Sequence, residues 1–150
     1  MNSGKYAFVI MIQEKWWQEF LRKNNRGIQT QSYIRLGAAP PKEASVLLFY
    51  VTKPVGEMAG YAEFIERTLG DPEEMWKQHG RESVLSLKEH YDEFVRDSHH
   101  ISFIRFKNLH VAAKPIPLNN LRMLLGQKNL SRKGFYVGKE NADKLVLLME

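Results

Sequence analysis

The sequence contains no cysteine, which excludes disulfides, thiolate metal sites and cysteine nucleophiles. Its histidines are never spaced as H-x-x-x-H or H-E-x-x-H, so we predict no metal site. The chain also lacks G-x-x-x-x-G-K-[ST], G-x-G-x-x-G and G-x-S-x-G. Nucleotide hydrolysis and serine-esterase chemistry therefore have no support, and no cofactor is predicted.

Long apolar runs are absent as well. The run near the N-terminus, Ala7 to Ile12, is too short for a signal peptide and far too short to span a bilayer. No later stretch approaches membrane length. We therefore expect a cytoplasmic protein without a membrane partner.

The composition is that of a folded globular protein. The chain has 150 residues, of which 43% are hydrophobic and 26% charged, and we predict a single domain over 1–150. The formal charge of +5 favours an acidic partner, with nucleic acid first, although such a charge also suits a merely soluble surface. Charge alone leaves both interpretations open.

Hydrophobic periodicity predicts strands alternating with helices. The helices begin with Gln13–Lys23, in which Trp16 and Trp17 both fall on the apolar stripe, a position that favours core packing over base stacking. Capping boxes predict helix starts at Asp71, with Glu74, and at Ser86, with Glu89. A further helix is predicted at 119–125, and 141–149 is either a helix or a strand, of which the helix is favoured. Strands are predicted at 5–12, 31–36, 46–52, 58–66, 101–107, 109–113 and 135–137.

The hairpin formed by Val46–Thr52 and the strand after it requires antiparallel pairing. This pairing argues against a doubly wound parallel sheet. It predicts an α+β fold, a mixed and mostly antiparallel β-barrel with helices inserted between its strands.

The stretch SVLLFYVTKPVGEMAGYAEF, Ser45 to Phe64, resembles the central hairpin of the PUA-like superfamily, which includes ASCH and EVE domains. The likeness extends through SYIRLGAAPPKEA before the hairpin and through DPEEMWKQHGRESVLSLKEHYDEF and ISFIRFKNLHVAAKPIPL after it. Within the superfamily the chain is similar to a mainly archaeal branch. The resemblance implies a PUA-like barrel over nearly the whole chain.

The resemblance also implies an RNA- or DNA-binding module, because PUA-like domains use the open cleft of the barrel to hold nucleic acid. ASCH-type relatives carry a G-x-K-x-x-E-x-R pattern in this cleft, and some are associated with ribonuclease activity. The chain keeps Gly27 but has Gln29 at the lysine position and Ser32 at the glutamate position. Arg35 lies one residue beyond the arginine position.

Candidate binding residues are aromatic or cationic side chains on strands and loops that the resemblance places at the cleft. Tyrosine can stack on a base and arginine can grip phosphate. For Arg105 and Lys107, which share a strand face, a carboxylate such as Glu63 or Glu66 is an equally good partner as phosphate. The full set is Tyr33, Arg35, Tyr50, Lys53, Tyr61, Arg105, Lys107, Lys128, Arg132 and Lys133.

Three functions stay open. The leading hypothesis is a module that binds nucleic acid, RNA rather than DNA, without a catalytic step, so no catalytic residue is assigned. The second is a nuclease or small-molecule hydrolase in which Glu63 or a histidine acts as general base and Arg35 or Lys53 stabilises the developing anion. The third is a domain that senses a nucleobase-like ligand or binds another protein.

Overall fold

The structure is a computed structural model that describes residues 3–150; Met1 and Asn2, the first residues of the predicted domain, lie outside the described residues. The strands are β1 (Ala7–Ile12), β2 (Thr30–Leu36), β3 (Val46–Val51), β4 (Glu57–Gly70), β5 (Ile101–Pro117) and β6 (Phe135–Val137). The α-helices are α1 (Glu14–Asn25), α2 (Pro72–His79), α3 (Lys88–Val95), α4 (Leu118–Leu125) and α5 (Lys139–Met149). Short 3₁₀ helices occupy Ser3–Lys5 and Gly80–Glu82.

The strands form one mixed sheet in the order β2-β5-β4-β3-β1-β6. β1 and β3 pair in parallel and the other neighbours are antiparallel, which confirms the α+β, mostly antiparallel prediction. Closure into the predicted barrel is not detected, since no ladder among residues 3–150 joins β2 to β6. β6 is only three residues long, and the outer side of β2 meets a bridge from Ser83 at Ser32.

β5, the longest of the described strands, differs from the sequence-based expectation. The predicted strands 101–107 and 109–113 form the single strand β5, which continues to Pro117. Asn108 adopts a positive φ of 55°, and the register between β4 and β5 shifts at three places. Such bulges bend a strand without ending it, so the chain continues where the local signals indicated a break.

Two hydrophobic cores lie on opposite faces of the sheet. Alternating residues of β1 supply them: Phe8 and Ile10 enter one core, while Ala7 and Val9 enter the other. α1, α2 and α3 cover the first face, and α4 and α5 cover the second. Because both faces are covered, β1 and β3 are apolar along nearly their whole length. No helix within residues 3–150 has the length and apolar character needed to cross a bilayer.

The packing of α1 on the sheet depends on aromatic rings and on one glycine. Phe20 lies with its ring centroid 5.1 Å from that of Phe106, and Trp17 lies 5.3 Å from Phe49. At Gly60 on β4, an added Cβ would lie 2.6 Å from the His110 carbonyl oxygen and 2.8 Å from Cη2 of Trp17. Only glycine therefore allows the strand and the indole to approach so closely.

The two predicted capping boxes have different outcomes. Asp71 accepts hydrogen bonds from the backbone N–H groups of Glu73 and Glu74, which confirms the start of α2. The prediction at Ser86 was wrong, because α3 begins at Lys88 and Leu87 is its N-cap residue. The burial of Tyr91 and Val95 sets the position of this helix, so tertiary packing overrides the local capping signal.

A polar network joins β2, β5 and the 3₁₀ helix Gly80–Glu82. The carboxylate of Glu82 accepts two hydrogen bonds from Arg105, at 2.9 and 3.1 Å, and one from the Ser32 hydroxyl at 2.7 Å. Burial alone would raise the pKa of Glu82, but the hydrogen bonds and charges of its partners outweigh burial and hold the pKa below its ordinary value. The ionised carboxylate therefore stabilises the fold.

Replacing Gly60 by alanine should destabilise the protein by about 2 kcal/mol, because the backbone atom that the new methyl group meets cannot move aside. Urea denaturation measures this change. Gly37→Ala is the control: its Cβ would meet no atom within 4 Å and only its φ of +72° opposes it, so we expect about 1 kcal/mol. Equal stability of Gly60→Ala and the parent chain would contradict this account of α1.

Replacing Glu82 by glutamine should lower the free energy of unfolding at neutral pH by about 2 kcal/mol, because charge-assisted hydrogen bonds are lost. The depressed pKa gives the sign of the pH dependence. The stabilisation is complete above the ordinary value of 4.5 and is lost as the pH falls through the folded-state pKa. Glu82→Gln should therefore show a flatter loss of stability in acid than the parent chain.

Glu66→Gln is the matched control for Glu82→Gln. Glu66 also accepts a hydrogen bond from Arg105, but half of its side chain is exposed. We expect a change of about 0.5 kcal/mol or less, as for other solvent-exposed ion pairs. Equal effects of the two substitutions would show that burial of Glu82 does not matter.

Candidate nucleic-acid interface

Two adjoining pockets share Met11, Thr52 and Arg132, and we call them together the basic hollow. Their cavity volumes are about 620 and 490 Å³, within the range of ligand sites. The hollow is lined by five cations and by no aspartate, glutamate or histidine. The cations are Lys15, Arg35, Lys53, Arg122 and Arg132.

The parallel pairing of β1 and β3 produces one wall of the hollow. Ile12 and Val51 are partners at the carboxyl ends of these strands, so the chain leaves both strands at the same edge. Thr52 there donates its backbone N–H to the Ile12 carbonyl at 2.9 Å. Residues that follow the two strands, Lys15 and Lys53 among them, therefore line adjoining pockets although they are distant in sequence.

β2 contributes Tyr33 and Arg35. Tyr33 is 9% exposed and packs its ring against Phe20, while the Arg35 guanidinium lies 5.7 Å from the centroid of the Tyr33 ring. Burial raises the pKa of Tyr33, opposed by the charge of Arg35. The phenol therefore keeps its proton at neutral pH and can donate a hydrogen bond into the hollow.

At the opposite end of the hollow, Tyr50 lies beside Arg122 of α4. Burial raises the pKa of the Tyr50 phenol, and the charge of Arg122 opposes this rise. The Nε atom of Arg122 is buried and has no hydrogen-bond partner among residues 3–150. A half-buried guanidinium group with an unmet donor is suited to binding an anion.

The cations of the hollow carry uncompensated charge. Within residues 3–150, none of the five lies within 4 Å of a carboxylate oxygen. An anion that entered the hollow would therefore gain attraction without displacing an existing ion pair.

The predicted residues Arg105 and Lys107 are in a different situation. Arg105 is bound by Glu82 and Glu66, and these partners raise its pKa. Nζ of Lys107 lies 3.9 Å from the Glu63 carboxylate. The sequence left phosphate or a carboxylate open as the partner of Arg105 and Lys107. The structure shows carboxylates beside both residues.

Three further predicted residues do not line the basic hollow. Tyr61 stacks on His110 with ring centroids 4.8 Å apart and lines a separate pocket with Glu63 and Glu150. Lys128 and Lys133 are exposed on the loop before β6. The structure thus brings together half of the predicted set: Tyr33, Arg35, Tyr50, Lys53 and Arg132.

Sequence reasoning missed Lys15 and Arg122. Arg122 is the one charge in the apolar helix sequence LNNLRMLL, a signal that could have drawn attention to it. Lys15 gives no such signal, because a lysine in the first turn of an amphipathic helix looks like ordinary surface. In the described part of the chain, no cluster of three or more metal-ligating side chains occurs.

No family model matches the chain. A protein named "ASCH domain-containing ribonuclease" from Zymomonas mobilis is 27% identical over 132 residues, which cover 88% of this chain and 87% of that protein. The crystal structure of ASCH from the same organism has a TM-score of 0.75 at 22% identity and covers 98% of this chain and 96% of that one. A variant of it with one tyrosine changed to phenylalanine gives a TM-score of 0.78 at 19% identity, covering 96% and 99%.

These matches agree with the hairpin and helix order that the sequence shares with PUA-like domains. They do not support the expected affinity to an archaeal branch, since the matched protein and structures come from the bacterium Zymomonas mobilis. The chain is therefore similar over most of its length to the ASCH domain-containing ribonuclease of that organism, and it shares the fold of the organism's ASCH structure.

Proposed function

We propose that this domain acts on RNA as a ribonuclease and holds the RNA backbone in the basic hollow. The observation that carries this proposal is the uniform charge of the site: five cations and no carboxylate line it. Three other pockets within residues 3–150 are each lined by at least one glutamate. A site of one sign attracts a polyanion and gives it a defined place to bind.

Similarity to the Zymomonas mobilis protein supports cleavage of RNA over binding alone. The Zymomonas mobilis protein is named a ribonuclease, and the similarity spans most of both chains. Cleavage is therefore favoured over the binding-only function that charge and composition had suggested.

Arg35 and Arg132 suit the chemical step. The guanidinium group of arginine can bind two phosphate oxygens at once. Its charge stabilises the additional negative charge that develops on the phosphoryl oxygens. The Tyr33 phenol, which keeps its proton, adds a neutral donor beside Arg35.

For proton transfer we propose His90. It lines the pocket that adjoins the hollow through Lys15, Trp16 and Phe94. Glu63 and His110, in contrast, lie together in a separate pocket. In RNA cleavage the 2′-oxygen bonds to phosphorus, the bond to the 5′-oxygen breaks, one proton leaves the attacking oxygen and another reaches the leaving oxygen. An imidazole near the site can accept the first of these protons, and solvent water supplies the second.

A second candidate function is RNA binding without cleavage. The observation in its favour is that the hollow itself contains no imidazole or carboxylate, so it binds phosphate without a resident general base. Under both functions RNA occupies the same site.

Arg35→Gln should weaken the binding of a short single-stranded RNA and make the salt dependence shallower. Because one phosphate contact is lost, the slope of log K against log salt should become less negative by about 0.7. Fluorescence anisotropy over a salt series measures both quantities. Arg26→Gln is the control, because it removes the same charge from an exposed residue that does not line the hollow. A flat salt slope for the parent chain would contradict the proposed site.

His90→Gln should lower the rate of RNA cleavage by about 100-fold while leaving RNA affinity unchanged, as expected for the loss of a general base. Single-turnover cleavage of end-labelled RNA, with and without chelator, gives the rate. His110→Gln is the matched control and should cleave like the parent chain. RNA that binds but stays intact with the parent chain would favour the binding-only function.

A further inference from the structure

One side of the basic hollow continues into an apolar pocket. The two share Lys15, Trp16, Val84, Leu85 and Phe94. We call Trp16, Leu85, Leu87 and Phe94 the aromatic flank. Leu87 is 54% exposed and Phe94 is 40% exposed, so much of this apolar surface faces solvent directly beside the cations.

Trp16 differs from its neighbour Trp17, although both belong to the apolar stripe of α1. Trp17 is 4% exposed and packs in the core, whereas Trp16 is half-buried and lines both pockets. The Lys15 ammonium lies 4.6 Å from the centroid of the Trp16 ring. An exposed contact of this kind is weaker than base stacking on an indole, so a base can displace Lys15 and leave it free for phosphate.

Two carboxylates at the aromatic flank, Glu19 and Glu93, do not oppose an incoming anion strongly. Glu19 pairs with Arg22, and the Glu93 carboxylate lies 3.5 Å from Arg96. The first pair lies within α1 and the second joins α3 to its C-cap residue, so a positive charge lies beside each negative one. Lys15, which lines both pockets, is in no ion pair among residues 3–150.

We propose that the aromatic flank holds the base of an unpaired nucleotide whose phosphates lie in the basic hollow, and that it thereby selects single-stranded RNA. This inference rests on the proposed function and adds the substrate class. Stacking on Trp16 and Phe94 requires an exposed base face. In a duplex both faces of each base are covered by neighbouring pairs, so a duplex would offer the site phosphates alone.

Binding of a short 2′-O-methyl oligonucleotide, single-stranded or annealed to its complement, tests the proposal. Blocking the 2′-oxygen prevents its attack and keeps the probe intact. The parent chain should bind the single strand at least about 10-fold more tightly than the duplex, and Trp16→Ala should lose about 10-fold for the single strand and little for the duplex.

Two variants control for folding and for loss of apolar surface. Trp16→Phe retains an aromatic ring, so it should keep most of the affinity for the single strand. Because the indole is gone, the quenching of tryptophan fluorescence by the bound single strand should decrease. Leu148→Ala removes an exposed apolar side chain of α5 that lines neither pocket, and we expect its preference for single strands to be unchanged.

The outcomes separate this inference from the proposed function. Absence of binding to both probes would overturn the function and this inference with it. Equal binding of single strand and duplex, unaffected by Trp16→Ala but weakened by Arg35→Gln, would overturn the aromatic flank alone. Loss of affinity in Trp16→Phe as large as in Trp16→Ala, with both variants folded, would also contradict stacking.

Discussion

The packing of α1 against the sheet is the interaction on which the rest of the structure depends. Trp17 and Phe20 bury their rings against β3 and β5, and the missing side chain of Gly60 allows the close approach. Polar contacts reinforce this position: Gln31 donates to the Phe20 carbonyl, and buried Lys23 donates to the Ser83 carbonyl. Because Lys15 and Trp16 lie in the first turn of this helix, its placement also determines the geometry of the hollow.

The distribution of paired and unpaired cations separates structural charge from binding charge. On β5, Arg105 is held by Glu82 and Glu66, so its charge is used in joining strands. Around the hollow, cations from α1, β2, α4 and two loops face a common space without carboxylate partners among the described residues. Like charges placed together in this way repel one another, and an anionic ligand relieves the repulsion.

Much of the architecture follows from local sequence. The alternation and apolar runs predict strands in the regions of β1 to β6, and the Asp71 capping box predicts the start of α2. The hairpin from Val46 also predicts mostly antiparallel pairing, which the sheet confirms. These features depend on side-chain periodicity and turn chemistry, which neighbouring residues carry. Local signals failed at Asn108 and Ser86, where long-range pairing and burial determined the backbone.

By itself, the sequence determined the elements, their order and a list of cations suited to nucleic acid. Only the tertiary structure decided which of those cations act together. Arg35 and Arg105 are both arginines on strands, yet one faces the hollow and the other is bound by two glutamates. Trp16 and Trp17 share a stripe, yet Trp16 lines the hollow while Trp17 is buried in the core. The reason is physical: charge compensation and exposure depend on groups brought close by strand pairing, which no local pattern encodes.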